Sequence, residues 1–136
     1  MNKDVETRDK IIFGNYNPDR YKSGGVRRFE CDAGKLRELH RQGFIDDNEA
    51  QNESPTTKEF LEFLDSINDK NVSVGFECYA VSPDRFDYRI TIEGINLLIE
   101  ETDYETLTSV ISNFRNADEF DVNHVDSGYE IRAWWD

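Results

Sequence analysis

From Ser54 to Trp135 the chain runs without interruption through signals for helix, hairpin, helix and hairpin, and each element has its own start, apolar face and turn. Ser54-Pro55 suits a helix start, with serine as cap and proline at the first helical position. Thr56 and Glu59 offer a competing capping box one register later. Phe60, Leu61, Leu64 and Ile67 then recur at helical spacing. Val72, Val74, Phe76, Cys78 and Ala80 alternate with Ser73, Gly75, Glu77 and Tyr79, the period of two that marks a strand with one buried face.

Ser82-Pro83-Asp84-Arg85 reads as a turn. Phe86, Tyr88, Ile90 and Ile92 read as the apolar phase of the partner strand, broken at Gly94. Ile95–Ile99 reads either as a third strand or as a bulged continuation. Thr102 and Glu105 form another capping box, ahead of Leu107, Val110, Ile111 and Phe114 on one helical face. Phe120 and Val122 suggest a strand, Asp126-Ser127-Gly128 a turn, and Tyr129, Ile131, Ala133 and Trp135 a final alternating strand.

The first third of the chain is less regular. Residues 1–10 are charged and aperiodic, and read as a frayed, flexible tail. Ile11-Ile12-Phe13 reads as an edge strand ended by Gly14, and Asn15–Gly25 as a loop rich in breakers. Val26–Phe29 is a weak strand. Asp32 caps a helix from Ala33 to Gln42, with Gly43 placed to end it. Residues 11–136 are therefore expected to form a single α+β domain. Its predicted core is an antiparallel sheet of four or five strands, with two or three helices packed mainly on one face.

Composition narrows the function classes. The formal net charge is −13 over 136 residues, with 33% charged and 12% aromatic residues. The aromatics argue against disorder, and the charge repels nucleic acid and anionic membrane while favouring a basic protein partner. No stretch approaches the roughly 20 apolar residues that span a bilayer, and Met1–Glu6 lacks the apolar segment of a secretory leader. Cys31 and Cys78 form no CxxC pair, which fits a reducing compartment. The expectation is a soluble, cytoplasmic, bacterial-type protein, a monomer or homodimer without membrane contact.

No motif identifies a reaction. His40 and His124 lie in different elements and lack zinc-type spacing. Asp46–Glu49 and Asp121–Asp126 resemble calcium loops only superficially. Ser23-Gly24-Gly25 lacks the lysine of a phosphate loop, and no serine or cysteine has an evident base. No catalytic residue, metal ligand or cofactor is therefore assigned.

Two binding candidates remain. Arg132-Ala133-Trp134-Trp135 ends the last strand, and its period places one tryptophan in the core and the other outside, beside Arg132. An outward tryptophan near an arginine is typical of interface anchors. Separately, Pro18–Arg41 carries seven cations against four carboxylates in an otherwise acidic chain. These cations are Arg20, Lys22, Arg27, Arg28, Lys35, Arg37 and Arg41, interleaved with Tyr21 and Phe29. They offer a nucleic-acid contact, or they offset the acidic remainder internally.

A helix-turn-helix reading of Ala33–Gln42 and Pro55–Ile67 fails on the long connection from Gly43 to Ser54. The leading expectation is a non-catalytic protein-interaction or regulatory module with Trp134, Arg132, Tyr21, Arg27, Arg28, Arg37 and Arg41 as binding residues. The rivals are a nucleic-acid binder and an enzyme with a spatially assembled pocket.

Overall fold

The computed structural model describes residues 1–136. Its elements run in the order α1 (Val5–Phe13), β1 (Val26–Asp32), α2 (Ala33–Arg41), α3 (Thr57–Ser66), β2 (Val72–Val81), β3 (Ile90–Glu100), α4 (Tyr104–Phe114), β4 (Glu119–Val125) and β5 (Gly128–Trp134). The strands form one antiparallel sheet in the order β1-β2-β3-β5-β4. This is the expected α+β architecture, with five strands and with four helices where two or three were expected. No helix is long and apolar enough to cross a membrane.

Alternation along the strands gives the sheet two unlike faces. Phe76, Cys78 and Ala80 of β2, Ile90, Ile92, Ile95, Leu97 and Ile99 of β3, and Ile131 and Ala133 of β5 point to one side and are buried. Leu36 and Leu39 of α2, Phe60, Phe63 and Leu64 of α3, Val110 and Phe114 of α4, and Ile12 of α1 join them in one continuous core. Phe60 is its aromatic hub, with ring centroids 5.8 Å from Phe76, 5.9 Å from Phe114 and 5.9 Å from Trp135. All four helices thus cover the same face.

Several local expectations change. Ile11-Ile12-Phe13 is the end of α1, not an edge strand, and the helix reaches back into the segment read as a tail. Asp4 caps it, its carboxylate accepting from the Thr7 amide at 3.2 Å. The helix is held by polar burial: Arg8 and Asp9 are both fully buried. Arg8 donates to the Val81 carbonyl at 3.0 Å, to Asp9 at 2.9 Å and to the Tyr21 hydroxyl at 2.7 Å.

The α3 start is decided in favour of Thr56, which forms the reciprocal capping box with Glu59. Ser54 instead accepts from the Gln51 amide at 2.8 Å. At α4 the cap is Asp103, not Thr102. In β3 the bulged continuation is realised: Glu77 pairs with Gly94 and Cys78 with Ile92, leaving Glu93 as the extra residue. The bulge keeps Ile90, Ile92, Ile95, Leu97 and Ile99 on one face across a shift that would otherwise reverse them. Gly128 starts β5 because nothing larger fits, a Cβ there lying 1.9 Å from the Ile99 carbonyl oxygen.

Phe86 and Tyr88 do not belong to β3. The turn extends to Arg89, because Asp87 binds Arg85 at 2.8 Å and Arg89 at 2.9 Å and folds the segment on itself. Phe86 is left fully exposed. Tyr88 turns back to lie under the Arg8 guanidinium, 4.7 Å from ring centroid to charge, and donates to the Asn2 carbonyl at 3.1 Å.

Candidate functional site

The other face of the sheet has no helix on it. Strand register places Glu30, Asp32, Glu77, Glu93, Glu100, Glu119, Asp121 and Glu130 there, against only Arg28 and Arg132. Both guanidinium groups are already engaged. Arg28 donates to Glu93 at 2.9 Å. Arg132 donates to Glu77 at 2.9 and 3.0 Å and to Glu119 at 2.9 Å. These hydrogen bonds raise both arginine pKa values above the ordinary one, with the Glu93 bond the largest cause for Arg28 and the Glu77 bond for Arg132. The carboxylates left over give the face an acidic field.

One end of this face is closed. The loop after α2 curls over the sheet so that Glu49 accepts from the Thr91 hydroxyl at 2.6 Å and Gln51 accepts from the Tyr79 hydroxyl at 2.7 Å. Arg89 pairs with Glu49 at 3.0 Å. The other end is open and carries a shallow depression of about 490 Å³ above Gly75, bounded by Ser73, Asn96, Leu98, Asn123, Glu130 and Arg132. A smaller hollow of about 210 Å³ lies among Arg28, Glu30, Glu77 and Glu93. Glu30 and Glu77 are direct cross-strand neighbours, a like-charge pairing that costs stability.

Of the residues named from sequence, Trp134 and Arg132 lie together on this face. The Arg132 guanidinium stands 6.0 Å from the Trp134 ring centroid, while Trp135 is buried in the core. Arg28 is on the same sheet face but at its far side, on the edge strand β1.

The remaining candidates are scattered. Tyr21 belongs to the Arg8–Asp9 cluster, where its hydroxyl donates to Asp9 at 3.0 Å; burial pushes its pKa up to about 12. Arg27 bonds the Ser23 and Val26 carbonyls. Arg37 pairs with Asp65 at 3.0 Å and Arg41 with Glu38 at 2.6 Å. Arg20 lies 3.7 Å from Asp9 and over the Phe13 ring, and Lys22 pairs with Asp19. Arg37 and Arg41 line one shallow depression with His40, Lys58 and the carboxylates of Asp47, Glu62 and Asp65, while Arg20, Lys22, Arg27 and Arg28 each bond elsewhere.

Sequence reasoning missed the acidic face as a unit. Its alternation was legible, but Glu77 and Arg132 are 55 positions apart, and only the strand order brings them together. It also missed Phe86, whose alternation with Tyr88 and Ile90 mimics a buried phase. The two cysteines are both buried and unbridged; the neighbouring Cys31 thiol, then burial, raise the Cys78 pKa well above its ordinary value, which makes it a poor nucleophile. No family model, curated protein or solved structure matches the chain.

Proposed function

We propose that the protein is a non-catalytic binding module that receives a positively charged partner protein on its uncovered sheet face. The observation that supports this reading is the charge of that face: eight strand carboxylates against two arginines, both already bonded to carboxylates. A sheet left bare on one side needs polar residues there, and an excess of one sign also favours solubility. A single-sign field is what steers an oppositely charged partner. Trp134 and Leu98 supply apolar contact within the same surface, Leu98 being 39% exposed, so the face combines a charged field with anchors.

The test compares two charge-matched double variants for binding an oligolysine peptide. Asp121→Lys with Glu130→Lys alters the open face. Glu62→Lys with Asp69→Lys alters exposed carboxylates outside the sheet. The face variant is expected to lose at least about tenfold more affinity than the other. Equal losses would reduce the protein to a general polyanion and overturn the reading.

A further inference from the structure

We propose that the free edge of β4 docks, by strand addition, a segment of the cationic partner in which basic and apolar residues alternate. This rests on the reading of the uncovered face given above and adds the mode of capture to it. β4 is the outermost strand of the sheet. It pairs with β5 without a bulge, from Glu119 opposite Trp134 to Val125 opposite Gly128.

The two-residue turn at Asp126-Ser127 makes Val125 and Gly128 a hydrogen-bonded pair. Alternation then directs the backbone groups of Glu119, Asp121 and Asn123 inward to β5. Phe120, Val122 and His124 turn their N–H and C=O groups to the open edge. Such a row is a template for another strand unless it is blocked. β4 has no proline, no lysine or arginine and no bulge to block it. The opposite edge strand, β1, carries Arg27 and Arg28.

The side chains of β4 specify what can pair. Glu119 and Asp121 lie on the acidic face, and Asp121 and its neighbour Glu130 are exposed and unpaired. Phe120 and Val122 lie on the helix side, where Val122 is still 41% exposed. Facing residues in adjacent strands sit about 5 Å apart. Over Glu119–Val122 an incoming strand would therefore meet carboxylates at alternate positions and apolar groups between them, and a basic–apolar alternation answers both. A second copy of this chain would bring Glu119, Asp121 and a further formal charge of −13 to the same edge, so charge favours a cationic partner over self-pairing.

The probe is a peptide of alternating lysine and valine as long as β4, compared with the same peptide N-methylated on the amides that would face the edge. Binding of the first peptide is expected to slow hydrogen exchange at the Phe120, Val122 and His124 amides. N-methylation is expected to weaken binding about tenfold, the effect of one or two lost ladder hydrogen bonds. Val122→Pro should do the same from the protein side, since its N–H faces solvent and the β5 ladder does not use it.

Because N-methylation leaves the protein unaltered, the test stands even if that variant fails to fold. Equal binding of both peptides, with perturbation confined to the open face, would overturn strand addition and leave the acidic-face reading intact. Failure of any lysine peptide to bind would overturn both. Protection of the same amides in a concentration-dependent dimer without peptide would assign the edge to a second copy and overturn the proposal.

Discussion

The two faces of the sheet are built from the same strands by alternate residues, yet they obey different physics. In β2, Phe76, Cys78 and Ala80 point into a closed aromatic and aliphatic core, while Glu77 and Tyr79 point out into a network of ions and hydroxyls. Burial of apolar area drives folding on the first side. On the second, the ion pairs have at least one partly exposed partner, Glu93 alone being buried, and water and salt screen the exposed groups. The inner face is therefore constrained by the fold, and the outer face is free to be shaped by what it meets.

The sharpest way to break this contrast is to delete a side chain from each face. Phe60→Ala removes the ring that contacts Phe76, Phe114 and Trp135, and should cost about 4 kcal/mol. That is a large share of a typical domain's stability and lowers Tm by roughly 15 °C at about 4 °C per kcal/mol. Glu130→Gln on the outer face should stay within about 0.5 kcal/mol. Thermal melts of the two variants decide it: comparable losses would mean that the outer network stabilises the fold as much as the core does.

The contrast sharpens when chemistry and location are separated. Arg8 and Asp9 form an ion pair, as Arg132 and Glu77 do, but both are fully buried, and the Asp9 Oδ2 atom has no hydrogen-bond partner. Arg8→Ala would leave the buried Asp9 carboxylate only the Tyr21 hydroxyl and the Arg20 guanidinium 3.7 Å away, and is expected to cost about 3 kcal/mol. Replacing both, by Arg8→Met with Asp9→Asn, should cost less than the Arg8→Ala variant alone, because no fully buried carboxylate is left without its arginine. Denaturant unfolding measures this. A double variant as unstable as Arg8→Ala would show that lost packing, not the buried carboxylate, is responsible.

That cluster also explains what the sequence could convey. Periodicity disclosed α2, α3, β2, α4 and β5, because each buries an apolar face that repeats at the spacing of its element. It could not disclose α1, whose buried residues are Arg8, Asp9 and Ile12; a buried ion pair reads as surface in any hydrophobic pattern. The β-branched Ile11-Ile12 also favoured a strand.

Phe86 failed for the opposite reason. Its place in an apolar alternation was genuine, but the Arg85–Asp87–Arg89 ion pairs hold it in a turn. At α3 the Thr56–Glu59 box was legible beside Ser54 and is the one that forms, while at α4 the cap moves by one residue, from Thr102 to Asp103, where neighbouring residues have similar capping chemistry. At the candidate site, the period of two sufficed to set Trp134 outside and Trp135 inside. The union of Arg132 with Glu77 and Glu119 needed the strand order β2-β3-β5-β4, which no local pattern encodes.

A variant with a small effect on stability tests the outer face most directly. Arg132 binds Glu77 and Glu119, but its side chain is 37% exposed, so Arg132→Gln should cost no more than about 1 kcal/mol. The same change removes one of the two strand arginines from a face with eight strand carboxylates, deepening its acidic field and freeing the two glutamates. If the face exists to receive a cationic partner, the variant should bind oligolysine about threefold more tightly at low salt, and the gain should shrink as salt is added. A purely structural role for Arg132 gives the opposite sign: a loosened network, a slightly lower Tm and weaker or unchanged binding. Isothermal titration of wild type and variant at two salt concentrations separates them, because stability and affinity move in opposite directions in the first case and together in the second.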